Sequence, residues 1–148
     1  MVAPGQGSIF KQVYWDFAGV GATTDAALLA KWQALREVRD AVNKAIEDVR
    51  SAGGVGSSLQ AEVAVTAAPE TYALLASLGE ELKFVFITSK ATLQNGDALA
   101  VTVTPSAAAK CERCWHWRDD VGAAAAHPTL CGRCVSNLYG AGEDRHVA

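Results

Sequence analysis

The sequence predicts an α+β protein: a long amphipathic helix, then a small α+β unit, then a four-cysteine tail. Three observations carry this. Apolar residues recur at three-and-four spacing from Leu28 to Val49, the period of a helix with one buried stripe. The period then falls to two in EVAVTA (62–67) and ALAVTVT (98–104), the alternation of strands. All four cysteines lie between 111 and 134, as two CxxC pairs with sixteen residues between them.

Taken in order, residues 1–24 hold Gly5, Gly7, Gly19 and Gly21 and an isolated aromatic group, Tyr14, Trp15 and Phe17, with no core of their own. Asp25 is placed to cap the helix. Leu28, Leu29, Trp32, Leu35, Val38, Val42, Ile46 and Val49 form its stripe, Arg50 falls in its last turn and Gly53-Gly54 ends it. A helix of that length needs a large partner surface. After the loop GGVGSSL comes the strand 62–67. Pro69-Glu70 then opens a short helix with Tyr72, Leu74, Leu75 and Leu78, stopped at Gly79. LKFVFIT (82–88) is a continuous β-rich run and reads as a buried strand. Asn95-Gly96 is a hairpin signal, with 98–104 as the returning strand. Ser106 to Ala109 link this unit to the cysteine tail.

Bulk properties narrow the function. The chain has 148 residues, 50% hydrophobic and 20% charged, enough for one domain or a small domain plus a stapled module. A formal charge of −3 argues against a strongly basic nucleic-acid binder. Residues 110–148 carry five basic and five acidic side chains, and Lys110, Arg113, Arg118 and Arg133 flank the cysteines. No run of 18 apolar residues suggests a membrane span, and MVAPGQGSIF lacks the pattern of a signal peptide. The expected setting is cytoplasmic and reducing, where paired CxxC motifs bind metal more often than they form structural disulfides.

Each CxxC turn sets two sulfurs on one side of a tight loop, and a second turn 15–20 residues on supplies the other corners of a tetrahedron. Cys111, Cys114, Cys131 and Cys134 are therefore expected to hold one structural Zn²⁺ in a zinc ribbon. Its two short strands are expected at Trp115–Trp117 and near Thr129-Leu130. A tetrahedral all-sulfur site also accepts iron. Four thiolates leave the cage at a charge of −2, which Lys110, Arg113 and Arg133 would offset. The cage has no open position for water activation, and it leaves His116 and His127 as non-ligands. A redox CxxC has one pair beside a βαβ pattern; here there are two pairs and no such pattern is read. Trp115 and Trp117 share a face if their segment is a strand. They then either cover the knuckle as its small core or form a stacking platform for an unpaired base, with Arg113 and Arg118 beside it to hold phosphate or a base edge. Spacing leaves that choice open. No acid–base pair, Ser/His/Asp set or phosphate loop stands out; GGVGSS lacks the lysine of a P-loop.

Several stretches together resemble the C-terminal region of bacterial isoleucyl-tRNA synthetase. They are WQALREVRDAVNKAIEDVR with VGSSLQAEV (32–50 and 55–63), LGEELKFVFITS (78–89), and KCERCWHWRDDVG with CGRCVSNLYGAGEDRHVA (110–122 and 131–148). The resemblance implies that residues 1–54 end the synthetase's helical anticodon-binding domain, that 55–109 are a small junction unit and that 110–148 are the zinc-binding tail. It implies tRNA(Ile), on its anticodon side, as partner, with Arg113 and Trp115 in contact and Trp115 stacked on an anticodon base. Trp117, Arg118 and Arg133 complete the candidate contact set. It also implies the synthetase's catalytic, editing and remaining anticodon-binding domains as partners. The two ATP-binding signature motifs of those domains are not in this sequence, so no ligase activity is expected of the chain alone.

Two other classes compete. A structural or protein-interaction zinc ribbon suits the neutral tail, since non-specific phosphate affinity should be weak. Formamidopyrimidine-type DNA glycosylases use a similar ribbon but begin with a proline nucleophile and adjacent glutamate, unlike Met1-Val2-Ala3-Pro4.

Overall fold

The computed structural model describes residues 25–143, so Tyr14, Trp15 and Phe17 lie outside the described residues. Helix α1 spans Ala26–Ser51. The Asp25 carboxylate accepts from the Leu28 N–H at 3.0 Å, satisfying one of the free donors of the first turn. Gly53, at φ 78°, ends the helix in a conformation that costs a residue with a side chain about 1–2 kcal/mol. Leu35, Val38, Val42 and Ile46 are at most 5% exposed. Leu28, Leu29 and Trp32 are exposed, so the buried part of the stripe begins only at Leu35.

Strand β1, Ala61–Ala67, buries Ala61, Val63, Val65 and Ala67 on one face, as period-two alternation requires. Helix α2, Pro69–Ala76, starts on proline, whose missing N–H is no loss at a first helical position. These side chains join the stripe of α1 in one core.

The next run departs from expectation. Residues 82–88 are not a strand: Leu82–Phe86 form helix α3, preceded by a 3₁₀ turn at Gly79–Glu81. Leu82 and Phe86, four apart, both point into the core, a spacing the β-rich composition concealed. Ile87 closes α3 at φ 56°, an unusual conformation for a β-branched residue. The strand beside β1 is instead β2, Lys90–Asn95. It runs parallel to β1, with Val63 opposite Ala91 and Val65 opposite Leu93.

Strand β3, Ala100–Pro105, pairs antiparallel with the other edge of β1, giving the order β2-β1-β3. The expected Asn95-Gly96 hairpin therefore does not form, because β1 stands between the two strands. The connection crosses the end of β1. There Gly96 donates to the Ala67 carbonyl at 3.0 Å, and a Cβ at residue 96 would collide with the Thr66 side chain. A parallel β–α–β crossover does exist here, β1–α2–α3–β2, contrary to the sequence reading. The cysteines all lie beyond it.

Candidate metal centre

The cysteine module begins on a two-stranded hairpin of β4, Ala109–Lys110, and β5, Trp117–Arg118, with Lys110 opposite Trp117. The first knuckle is the loop of this hairpin. The Cys111 N–H donates to the His116 carbonyl at 2.9 Å, and the Trp115 N–H donates to the Cys111 carbonyl at 2.9 Å. The second knuckle opens helix α4, Gly132–Tyr139, with Cys131 at its N-cap. The strands expected at 115–117 and near 129–130 thus reduce to Trp117–Arg118. Trp115 takes φ 64°, outside strand geometry, so Trp115 and Trp117 do not share a strand face.

The four sulfurs of Cys111, Cys114, Cys131 and Cys134 lie within 4.8 Å of one another, and none is disulfide-bonded. Cys111, Cys131 and Cys134 are fully buried and Cys114 is half-buried. Cys114 and Cys131 are 3.7 Å apart. Zinc–thiolate bonds of about 2.3 Å set sulfurs roughly 3.8 Å apart on the edges of a tetrahedron, so the cluster has the size of one zinc ion.

Its electrostatics agree. Burial pushes the Cys111 thiol up, but the backbone N–H groups of Cys114, Cys131 and Arg113 outweigh it and bring the thiol to about 6. Cys114 is pushed up to about 12, chiefly by burial and further by hydrogen bonds among the neighbouring thiols. Burial also raises Cys131. Sulfurs this close cannot all carry charge unaided, and a divalent cation removes the conflict. The Cys131 N–H points at Cys111 Sγ at 3.4 Å, and Arg113 Nη1 donates to Cys134 Sγ at 3.5 Å, both suited to stabilising thiolates.

The flanking cations divide. Only Arg113 hydrogen-bonds a thiol. Lys110 Nζ stands 5.7 Å from the centre of the Trp115 ring. Arg118 makes a paired contact with Asp120 at 2.8 and 3.0 Å, and Arg133 pairs with Glu143 at 2.5 Å. Arg133 still feels the Cys114 and Cys134 thiols through space.

Sequence reading missed Asp120, whose Oδ2 also accepts from the Gly132 N–H at 3.1 Å. Asp120 thereby braces the segment after the first knuckle against the start of α4, and its position two residues after an arginine was the available clue. Asp120→Asn in the zinc-loaded chain is expected to cost the module about 1–2 kcal/mol, allowing for partial exposure. Its urea midpoint should fall; an unchanged midpoint means the brace adds nothing.

Neither histidine is in the sulfur cluster. His116 Nδ1–H donates to the Cys114 carbonyl at 3.1 Å, and burial lowers its pKa, keeping the ring neutral. His127 stacks on Tyr139, centres 4.1 Å apart and planes 2° from parallel. Trp115 is 59% exposed, with its ring N–H donating to the Glu112 carbonyl at 3.1 Å. It is not part of the module's buried core. Trp117 is half-buried, its backbone N–H donating to Ser89 Oγ at 2.6 Å.

A family model described as "Zinc finger found in FPG and IleRS" matches residues 109–137. Isoleucine–tRNA ligase of Bordetella petrii is 56% identical over 142 residues, 95% of this chain and 15% of that protein. The ligase of Chromobacterium violaceum is 53% identical over 141 residues, again 95% of this chain and 15% of that protein. That of Burkholderia cenocepacia is 53% identical over 148 residues, 98% of this chain and 15% of that protein. The chain thus spans about 15% of the length of the curated relatives it matches. The family model covers the finger; the matches to the ligases run along nearly the whole chain. No described helix is long and apolar enough to cross a membrane. Residues 109–137 match a zinc-finger family found in FPG and IleRS, their four cysteines form a cluster suited to one structural zinc, and the chain that carries them is similar over nearly its whole length to the C-terminal region of bacterial isoleucine–tRNA ligases.

Proposed function

We propose that this chain is a tRNA-binding part of an isoleucine–tRNA ligase, and that Cys111, Cys114, Cys131 and Cys134 hold its structural zinc. In this reading residues up to 54 close a helical anticodon-binding domain, 55–109 form a junction unit, and the zinc module from 110 meets the anticodon side of tRNA(Ile). The other partners are the catalytic, editing and remaining anticodon-binding domains of the ligase, where aminoacylation takes place.

The observation that carries the reading is Trp115. Large apolar side chains are normally buried when a core is available. This one stands 59% exposed on a left-handed backbone, tied by its ring N–H, directly after a zinc ligand. A rigid, open aromatic face is what an unpaired base stacks on. Arg113, exposed and hydrogen-bonded to Cys134, is beside it for a base edge or phosphate. Arg118 and Arg133 are paired with Asp120 and Glu143, and Trp117 is half-buried with its backbone bound to Ser89, so in this reading the three support this surface. A groove of about 690 Å³ lies between the Gly79–Glu81 turn and α4. Lys83, Arg118 and Arg133 line it together with Glu80, Glu81 and Glu143, which leaves it without the net charge a polyanion needs.

The test is a titration of the zinc-loaded chain with isoleucine tRNA and a non-cognate tRNA at two salt concentrations, repeated after metal removal. Zinc-dependent preference for the isoleucine tRNA, weakening with salt, supports the reading. Absence of binding by folded, zinc-loaded chain favours a structural or protein-interaction finger, which the balanced charge of the module also suits. Within the same assay Arg113→Ala should weaken binding by about 1–3 kcal/mol if it reads a base edge. An equal loss for every tRNA reduces its role to phosphate.

A further inference from the structure

Phe84 sits on the short helix that composition disguises as a strand. Leu82 and Phe86 are 2% and 1% exposed and belong to the main core. Phe84, midway between them, lies about 200° round the helix from Leu82 and is only half-buried. Its ring meets the zinc module instead. His116, two residues after Cys114, approaches edge-on with centres 5.7 Å apart and planes at 75°. Arg133, between Cys131 and Cys134, places its guanidinium carbon 4.8 Å from the ring centre. One of these side chains comes from each knuckle, and the four-sulfur cluster holds the two knuckles together. Beside them Ser89 is 8% exposed. Its Oγ accepts from the Trp117 N–H at 2.6 Å and donates to the Leu59 carbonyl at 2.5 Å.

We propose that Phe84 is a positioning residue: its contacts with His116 and Arg133, with the Trp117–Ser89 bond beside them, couple zinc binding to the placement of the module on the helix–sheet body. The physical basis is that Phe84 has a cation of its own helix, Lys83 Nζ at 5.4 Å from the ring centre, whichever way the module lies, whereas each knuckle adds one further partner and the assembled cluster adds both, the His116 ring and the closer Arg133 guanidinium. The coupling is reciprocal: whatever zinc contributes to docking, docking returns to zinc affinity. Phe84 is not one of the four cluster residues, and its ring meets His116 and Arg133 of the module, so its effect on metal affinity is expected to act through placement. The proposal rests on the zinc site and is independent of RNA binding.

The test uses the full chain, with zinc affinity measured by competition against a chromophoric chelator and amide exchange followed at Trp117 and in β1. Phe84→Ala should still take up one zinc but bind it about 5–20-fold more weakly, within the usual range of site–site coupling. Exchange at the Trp117 amide should quicken roughly tenfold, while β1 amides stay protected. Phe84→Tyr, which keeps the ring, should restore both, and Phe84→Leu should not. Ser89→Ala should free the Trp117 amide with the ring intact. Unchanged zinc affinity and unchanged Trp117 exchange in Phe84→Ala overturn the proposal, as does an equal loss of protection in β1, which would make Phe84 a general core residue. If the wild-type chain takes up no zinc, the metal site itself fails and the proposal with it.

Discussion

Cys131→Ser is expected to release zinc and unfold residues 109–143 while leaving the helix–sheet body folded. Cys131 is fully buried, supplies one corner of the sulfur cluster and starts α4. The apolar interior of the module consists of Cys111, Cys131 and Cys134 with Cys114, Val121 and Leu130 packed around them. Such a core cannot fold a module of this size by itself, and structural zinc commonly contributes ~10–16 kcal/mol of apparent binding energy. A serine hydroxyl is a poor substitute for a thiolate at neutral pH, because the ligand must be deprotonated to bind. The body keeps a separate core, running from Leu35 to Phe86, that includes none of these residues. Metal analysis and amide spectra read both halves of the prediction. Stoichiometric zinc retained by the variant would defeat the four-thiolate assignment.

Trp115→Ala is expected to weaken tRNA binding by about 1–3 kcal/mol, the usual cost of removing one base-stacking ring, with zinc still bound. On an affinity scale that is roughly 5- to 150-fold. Little stability should be lost, because the ring is more exposed than buried and has no place in either core. The backbone offers a control. At φ 64°, residue 115 carries a strain that glycine lacks, so Trp115→Gly should be as stable as the parent or more so while binding no better than the alanine variant. Equal affinity in all three proteins would leave Trp115 an exposed side chain without a role in recognition.

Much of this was readable in the chain of residues. Helix α1 announced itself through a cap, a long apolar period and a double-glycine stop, all local signals that reinforce one another. The zinc site was equally plain, since a CxxC turn fixes two sulfurs by its own geometry. Residues 82–88 were not readable in the same way. LKFVFIT satisfies a buried strand by composition and a helix by the spacing of Leu82 and Phe86, and a short apolar run cannot choose between them. Asn95-Gly96 misled for a related reason: the local signal names no partner strand, and the returning strand β3 pairs with the far edge of β1 and not with β2.

The sequence by itself determined where α1 begins and ends, which face of β1 is buried, and that four cysteines form one cluster suited to a single zinc. In each case neighbours a few residues apart decide the outcome. The tertiary structure decided which segment lies beside β1, that Phe84 faces the zinc module and not the core, and that Trp115 leaves the strand and stands open to solvent. Those outcomes depend on residues far apart in the chain competing for one sheet edge, one ring face and one metal, and such competition is settled only when the whole chain has packed.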